Sequence, residues 1–90
     1  MKIEIVQDYI SMRNAKKFDI QIFWRMYKSE GGILQNPQEF MNHFLHEVQY
    51  LEGMEIRTTR DRDAILSGID TKLGLSILYD KNGQFLKIVN

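Results

Sequence analysis

Cysteine is absent from the ninety residues. That excludes disulfide staples, thiolate zinc sites and cysteine nucleophiles, and it fits a reducing compartment. There is one proline, Pro37, and no glycine- or serine-rich stretch, so nothing reads as a linker. No apolar run approaches the roughly 20 residues that span a bilayer. The opening "MKIEIVQDYI" is interrupted by Glu4 and Asp8 and does not read as a secretory signal. A soluble, cytoplasmic protein without a membrane partner is the expectation. A charge excess is missing too: twelve basic side chains face twelve acidic ones. Proteins dedicated to duplex DNA usually carry a basic excess, so that class is disfavoured. Histidine is scarce, with two in the chain.

What is present is hydrophobic and aromatic. A hydrophobic fraction of 43%, with five Phe, four Tyr and one Trp, argues for a folded core rather than disorder. Residues 1–90 suffice for one small domain. The segment Pro37 to Glu52 reads as a helix. Asn36 suits an N-cap, Pro37 the first turn, Glu39 a capping box and Gly53 the stop. Phe40, Met41, Phe44, Leu45, Val48 and Leu51 fall on one side of it, and Glu39, His43, His46, Glu47 and Tyr50 on the other.

Elsewhere the pattern suggests strands. In "KKFDIQIFWRMYK" (16–28), Phe18, Ile20, Ile22, Trp24 and Met26 alternate, which favours a strand; Asn14 as a cap and the Gly31-Gly32 stop leave a helix open. Residues 2–12 read as a strand with a bulge near Val6, paired to it as a hairpin. "MEIRT" (54–58) reads as a short strand and "RDRDAILSGI" (60–69) as a short helix capped by Thr58 or Thr59. "LGLSILYDKNGQFLKIVN" reads as a hairpin turning at "DKNG". The expected fold is α+β: an antiparallel sheet in the order ββαβαββ with one main amphipathic helix on one face.

Four stretches invite chemistry. "HFLHE" (43–47) places two histidines on one helical face with Glu39 and Glu47 on either side. It matches neither HExxH nor HxxEH, and a catalytic zinc needs three protein ligands. A solvated or partner-facing stripe is the better reading, and no metal or cofactor is expected. This helix carries Glu39, Glu47 and Glu52 and no Lys or Arg between residues 36 and 53, so a partner with a basic surface would suit it. Second, if 16–28 is a strand, then Phe23, Arg25 and Tyr27 leave the core. With Arg13, Lys16 and Lys17 they form an aromatic, basic surface for a protein or for single-stranded nucleic acid. Third, "RTTRDRD" (57–63) offers Arg57, Arg60 and Arg62 to an anion at a helix start, against the opposing Asp61 and Asp63. Fourth, Asp61, Asp63 and Asp70 form a nonspecific carboxylate set for a hydrolase or nuclease.

The reading that needs least is a small protein-binding module, not an enzyme, that inhibits, neutralises or regulates a partner; a phage or mobile-element origin is compatible with it. Its contacts are Glu39, His43, His46, Glu47 and Tyr50, or else Phe23, Arg25 and Tyr27. The nucleic-acid binder is the alternative and the hydrolase the third reading. A homodimer through the apolar terminal strand, Phe85 to Val89, is a further expectation.

Overall fold

The computed structural model describes the backbone of residues 2–90 and the side chains of 5–59 and 62–90. Three helices come first: α1 (Lys2–Asn14), α2 (Ile20–Ser29) and α3 (Pro37–Val48). Four strands follow: β1 (Met54–Asp61), β2 (Ala64–Asp70), β3 (Leu75–Tyr79) and β4 (Phe85–Val89). The strands form an antiparallel sheet in the order β1-β2-β3-β4. The α+β class and the antiparallel sheet hold; the element order is αααββββ, not ββαβαββ, and three helices take the place of one main helix.

The first correction is α1. Ile5, Tyr9 and Met12 are buried at spacings of four and three, with Arg13 beside them. The change of phase attributed to a bulge at Val6 is the 3.6-residue period of a helix. The second correction is α2. Asp19 is its N-cap and accepts from the N–H groups of Gln21 and Ile22. At the other end Gly32 N–H donates to Tyr27 O and Gly31 N–H to Lys28 O, with Gly31 at φ 87°. Those two bonds and the left-handed glycine make a Schellman stop. The apolar residues around α2 find cover because it packs against both α1 and α3. Phe23 and Tyr27 are fully inside, while Ile20, Ile22, Trp24 and Met26 pack at the margin.

The third correction concerns 60–69, which forms no helix. Asp61 pairs with Ala64, so Arg62 and Asp63 make a two-residue hairpin turn with Arg62 at φ 55°. Hairpin turns of that length need positive φ, which glycine or asparagine usually supplies, so an arginine there hides the turn. The "DKNG" hairpin is present as expected, with Gly83 at φ 77°. β1 and β4 are the sheet's edges.

Alternation sorts the sheet into two faces. The register aligns Met54, Asp70 and Leu75, then Ile56, Gly68, Ile77 and Ile88, then Leu66 and Tyr79. This face meets the helices: Met54, Leu75, Ile77 and Tyr79 join Phe23, Phe40, Phe44 and Val48 in one core. Aromatic rings hold the helices to each other, with Phe23 and Phe40 centroids 4.7 Å apart and Tyr9 and Phe44 4.9 Å apart. The Tyr79 hydroxyl, buried, donates to Met41 O at 2.8 Å and ties α3 down to β3. Burial pushes that phenol above its ordinary range.

The Leu45 side chain of α3 lies directly against Gly68 of β2. A Cβ there would lie 2.7 Å from Leu45 Cδ1. Gly68→Val is therefore expected to destabilise the domain by about 1–3 kcal/mol, the usual range for overpacking a core. Denaturant unfolding reads it as a lower midpoint at unchanged slope. Combining it with Leu45→Ala should recover part of the loss, because the two side chains compete for one space.

Candidate functional site

α3 starts as its residues dictate. Asn36 Oδ1 accepts from Glu39 N–H, Pro37 fills the first turn, and Glu39 Oε2 accepts from Gln35 N–H at 2.8 Å. These contacts fix the rotation of the helix, so Phe40, Met41, Phe44, Leu45 and Val48 point inward. His43 and His46 are exposed, and Glu39 and Glu47 are half-buried. Tyr50, just past the helix, is 90% exposed, whereas the other nine aromatic residues are buried or partly buried. The stripe expected from the sequence is thus assembled on one surface. Among the described residues no three His, Asp or Glu side chains gather where they could share a metal ion.

Beside this stripe runs a cleft that sequence reasoning missed. Its volume is about 150 Å³. Leu45, His46 and Gln49 form its α3 wall, Ile56 and Leu66 line it from β1 and β2, and Tyr79 lies at the base. Leu45 reaches in against Gly68 on one side of the cleft, and Ile56 stays 38% exposed on another. Asn42 secures one end: its Oδ1 accepts from Phe85 N–H at 2.7 Å and its Nδ2 donates to Gln84 Oε1 at 2.8 Å. Gln38 adds a bond to Phe85 O at 2.6 Å. The signal available in the sequence was Asn42, His46 and Gln49 at i, i+4 and i+7, a polar flank between the apolar side and the acidic stripe.

The other sites separate. Phe23 and Tyr27 lie in the core at 0% and 1% exposure, and Tyr27's hydroxyl accepts from Leu34 N–H. The surface expected to combine Phe23, Arg25 and Tyr27 therefore does not form, because helical spacing turns Arg25 outward and the two rings inward. Lys16 and Lys17 are exposed, but Arg13 is buried. A platform for stacking bases loses both rings and one cation.

Arg13 is inside because it pairs with Asp70. Its Nε donates to Asp70 Oδ2 at 3.0 Å, and its Nη1 donates to Glu52 O at 2.6 Å. Tyr9's hydroxyl donates to the same carboxylate oxygen. The second oxygen of Asp70 accepts from Lys72 N–H and Leu73 N–H. Burial by itself would raise this carboxyl; the Tyr9 hydroxyl, the Leu73 N–H and Arg13 together hold it below its ordinary 3.8. Tyr9 is pushed up, first by burial and then by the Asp70 beside it. Asp70 is thus a fully bonded structural carboxylate that fastens α1 to the β2–β3 turn.

Asp63 sits exposed in the hairpin turn at the far end of β2, roughly 20 Å away at the rise of a strand. The side chains of Arg60 and Asp61 lie outside the described residues. Asp63 and Asp70 therefore share no site. The anion site expected around 57–63 lacks its helix start, and Arg57 is taken up by Glu55.

Sequence, curated-protein and structure comparisons add no relative: no family model matches the chain, and neither a curated protein nor a solved structure resembles it significantly.

Proposed function

We propose that this chain is a small protein-binding module that inhibits or regulates a partner through the exposed flank of α3. One observation carries the reading. Nine of ten aromatic residues serve the core or its margin, and Tyr50 stands 90% exposed at the end of the stripe formed by Glu39, His43, His46 and Glu47. Tyrosine and arginine are enriched among the residues that dominate interface energies, and charges around such an anchor chiefly speed association. The α3 surface needs only a rigid backbone, which Asn36, Asn42 and the Tyr79–Met41 bond supply.

The test is affinity capture from lysate of wild type and Tyr50→Ala, each with and without nuclease, read by mass spectrometry. One dominant protein, recovered regardless of nuclease and depleted at least about tenfold by Tyr50→Ala, is the expected result; that is the scale of a hot-spot truncation. Recovery that collapses with nuclease would transfer the function to nucleic acid. Recovery indifferent to Tyr50 would remove α3 from the interface.

A further inference from the structure

We infer that Asn82 is a site of spontaneous covalent modification: the Gly83 backbone nitrogen attacks its carboxamide, and water converts the resulting ring to aspartate or isoaspartate. Water is the sole reactant added. The Gly83 nitrogen gives up its proton and bonds to Asn82 Cγ, the carboxamide nitrogen leaves as ammonia, and a succinimide closes. Water then opens the ring. Opening at the side-chain carbonyl gives aspartate; opening at the main-chain carbonyl leaves the chain running through the side chain, as isoaspartate.

Access is the first argument. Gly83 has no side chain to shield its nitrogen, and a Cβ built there would meet nothing within 4 Å, so the space beside it is open. Asn82 is exposed, and its N–H, not its side chain, is engaged, donating to Asp80 Oδ1 at 2.8 Å.

Comparison within the chain is the second argument. Asn36 precedes Pro37, which has no N–H to give up, and Asn36 Oδ1 accepts from Glu39 N–H. Asn42 lies inside α3 with its carboxamide held at both ends, by Phe85 N–H and Gln84 Oε1. Asn14 is exposed, but the nitrogen that follows it belongs to an alanine and donates to Ser11 O. Asn82 alone of these four is followed by glycine.

The turn restrains the reaction. Gly83 N–H donates to Asp80 O at 3.0 Å, and Asp80 Oδ1 also accepts from Gln84 N–H at 2.9 Å. The turn has to open before the nitrogen can attack. Afterwards a new carboxylate shares the turn with Asp80, and the two repel. Isoaspartate also lengthens the main chain just before Gln84, whose side chain holds Asn42 of α3.

The experiment ages the full ¹⁵N-labelled chain in warm, mildly alkaline buffer and follows it by peptide mapping, with fragmentation that distinguishes isoaspartate. Asn82 should convert faster than Asn14, Asn36 or Asn42, and Asn82→Gln should suppress the acidic product. Asp80→Ala loosens the turn and should speed conversion about fivefold, the factor that one net hydrogen bond supplies. If that variant unfolds, a capped peptide of residues 78–86 replaces it and should outpace the folded chain. The aged protein should show shifted amides at Asn42, Gln84 and Phe85. Conversion led by another asparagine, or none at Asn82 in the folded chain whatever the peptide does, would overturn the inference. An unchanged rate in Asp80→Ala, or in the peptide, would overturn the restraint assigned to the turn. Unshifted amides at Asn42 and Phe85 would overturn the link to α3.

Discussion

Asp70→Ala is expected to destabilise the domain by about 3–5 kcal/mol, the usual consequence of breaking a buried ion pair on one side. A small domain holds only about 5–15 kcal/mol in total, so much of that reserve would go. The loss is large because the substitution strands several groups at once. Arg13 is left as an uncompensated cation at 8% exposure, the Tyr9 hydroxyl loses its acceptor, and the N–H groups of Lys72 and Leu73 lose theirs. Asp70→Asn keeps the shape and removes only the charge, so its loss should be smaller.

The same carboxylate predicts a pH dependence. Its folded pKa lies below the ordinary 3.8, so the folded state binds this proton less readily than the unfolded chain does. The stabilisation is present above the unfolded pKa and is lost as pH falls through the folded value. Wild type should therefore show an acid-unfolding limb below about pH 4 that is flatter in Asp70→Asn. Urea unfolding of both proteins across that range checks it. Equal stability of wild type and Asp70→Ala at neutral pH would deny the network its structural role.

Phe23→Ala should destabilise by about 3–5 kcal/mol, as truncating a buried phenylalanine does. Its ring is fully buried, with centroids 4.7 Å from Phe40 and 5.4 Å from Phe44. Arg25→Ala, two residues on, should stay within about 0.5 kcal/mol, the ordinary surface range. The contrast separates two geometries. In a strand, residues 23 and 25 share a face and respond alike; in the observed helix they sit about 200° apart. Comparable small losses at both positions would contradict α2.

The sequence made α3 and the last hairpin legible because several signals there agree. Asn36, Pro37 and Glu39 mark the start of the segment whose apolar period runs through Val48, but the stop expected at Gly53 comes earlier, with the helix ending at Val48 and Gln49 as its cap. The other two helices were hidden by coincidence. Phe18, Ile20, Ile22, Trp24 and Met26 alternate, yet α2 is legible from its polar residues: Gln21, Arg25 and Lys28 recur at four and three and are all exposed. Asp19 as a cap and Gly31 at the stop bracket that stretch. Three helices packed together also provide cover on more sides than a single amphipathic helix receives. In α1, Tyr9 and Arg13 are buried side by side with their polar ends on Asp70, 61 and 57 residues away. Nothing local announces such a contact. The exposed stripe was legible from helical period alone. The cleft beside it was not, since its lining comes from α3, three strands and the last hairpin turn, residues 42 to 83, which only the fold brings together.

The most direct test of α3 as the partner-facing surface is calorimetric titration of the purified partner into four proteins: wild type, Tyr50→Ala, Glu47→Lys and Arg25→Glu. Tyr50→Ala should weaken binding by at least about tenfold, and Glu47→Lys should weaken it most at low salt. Arg25→Glu, on the exposed side of α2, should bind like wild type. The opposite pattern, with Arg25→Glu defective and both α3 variants intact, would move the interface to α2 and contradict the account.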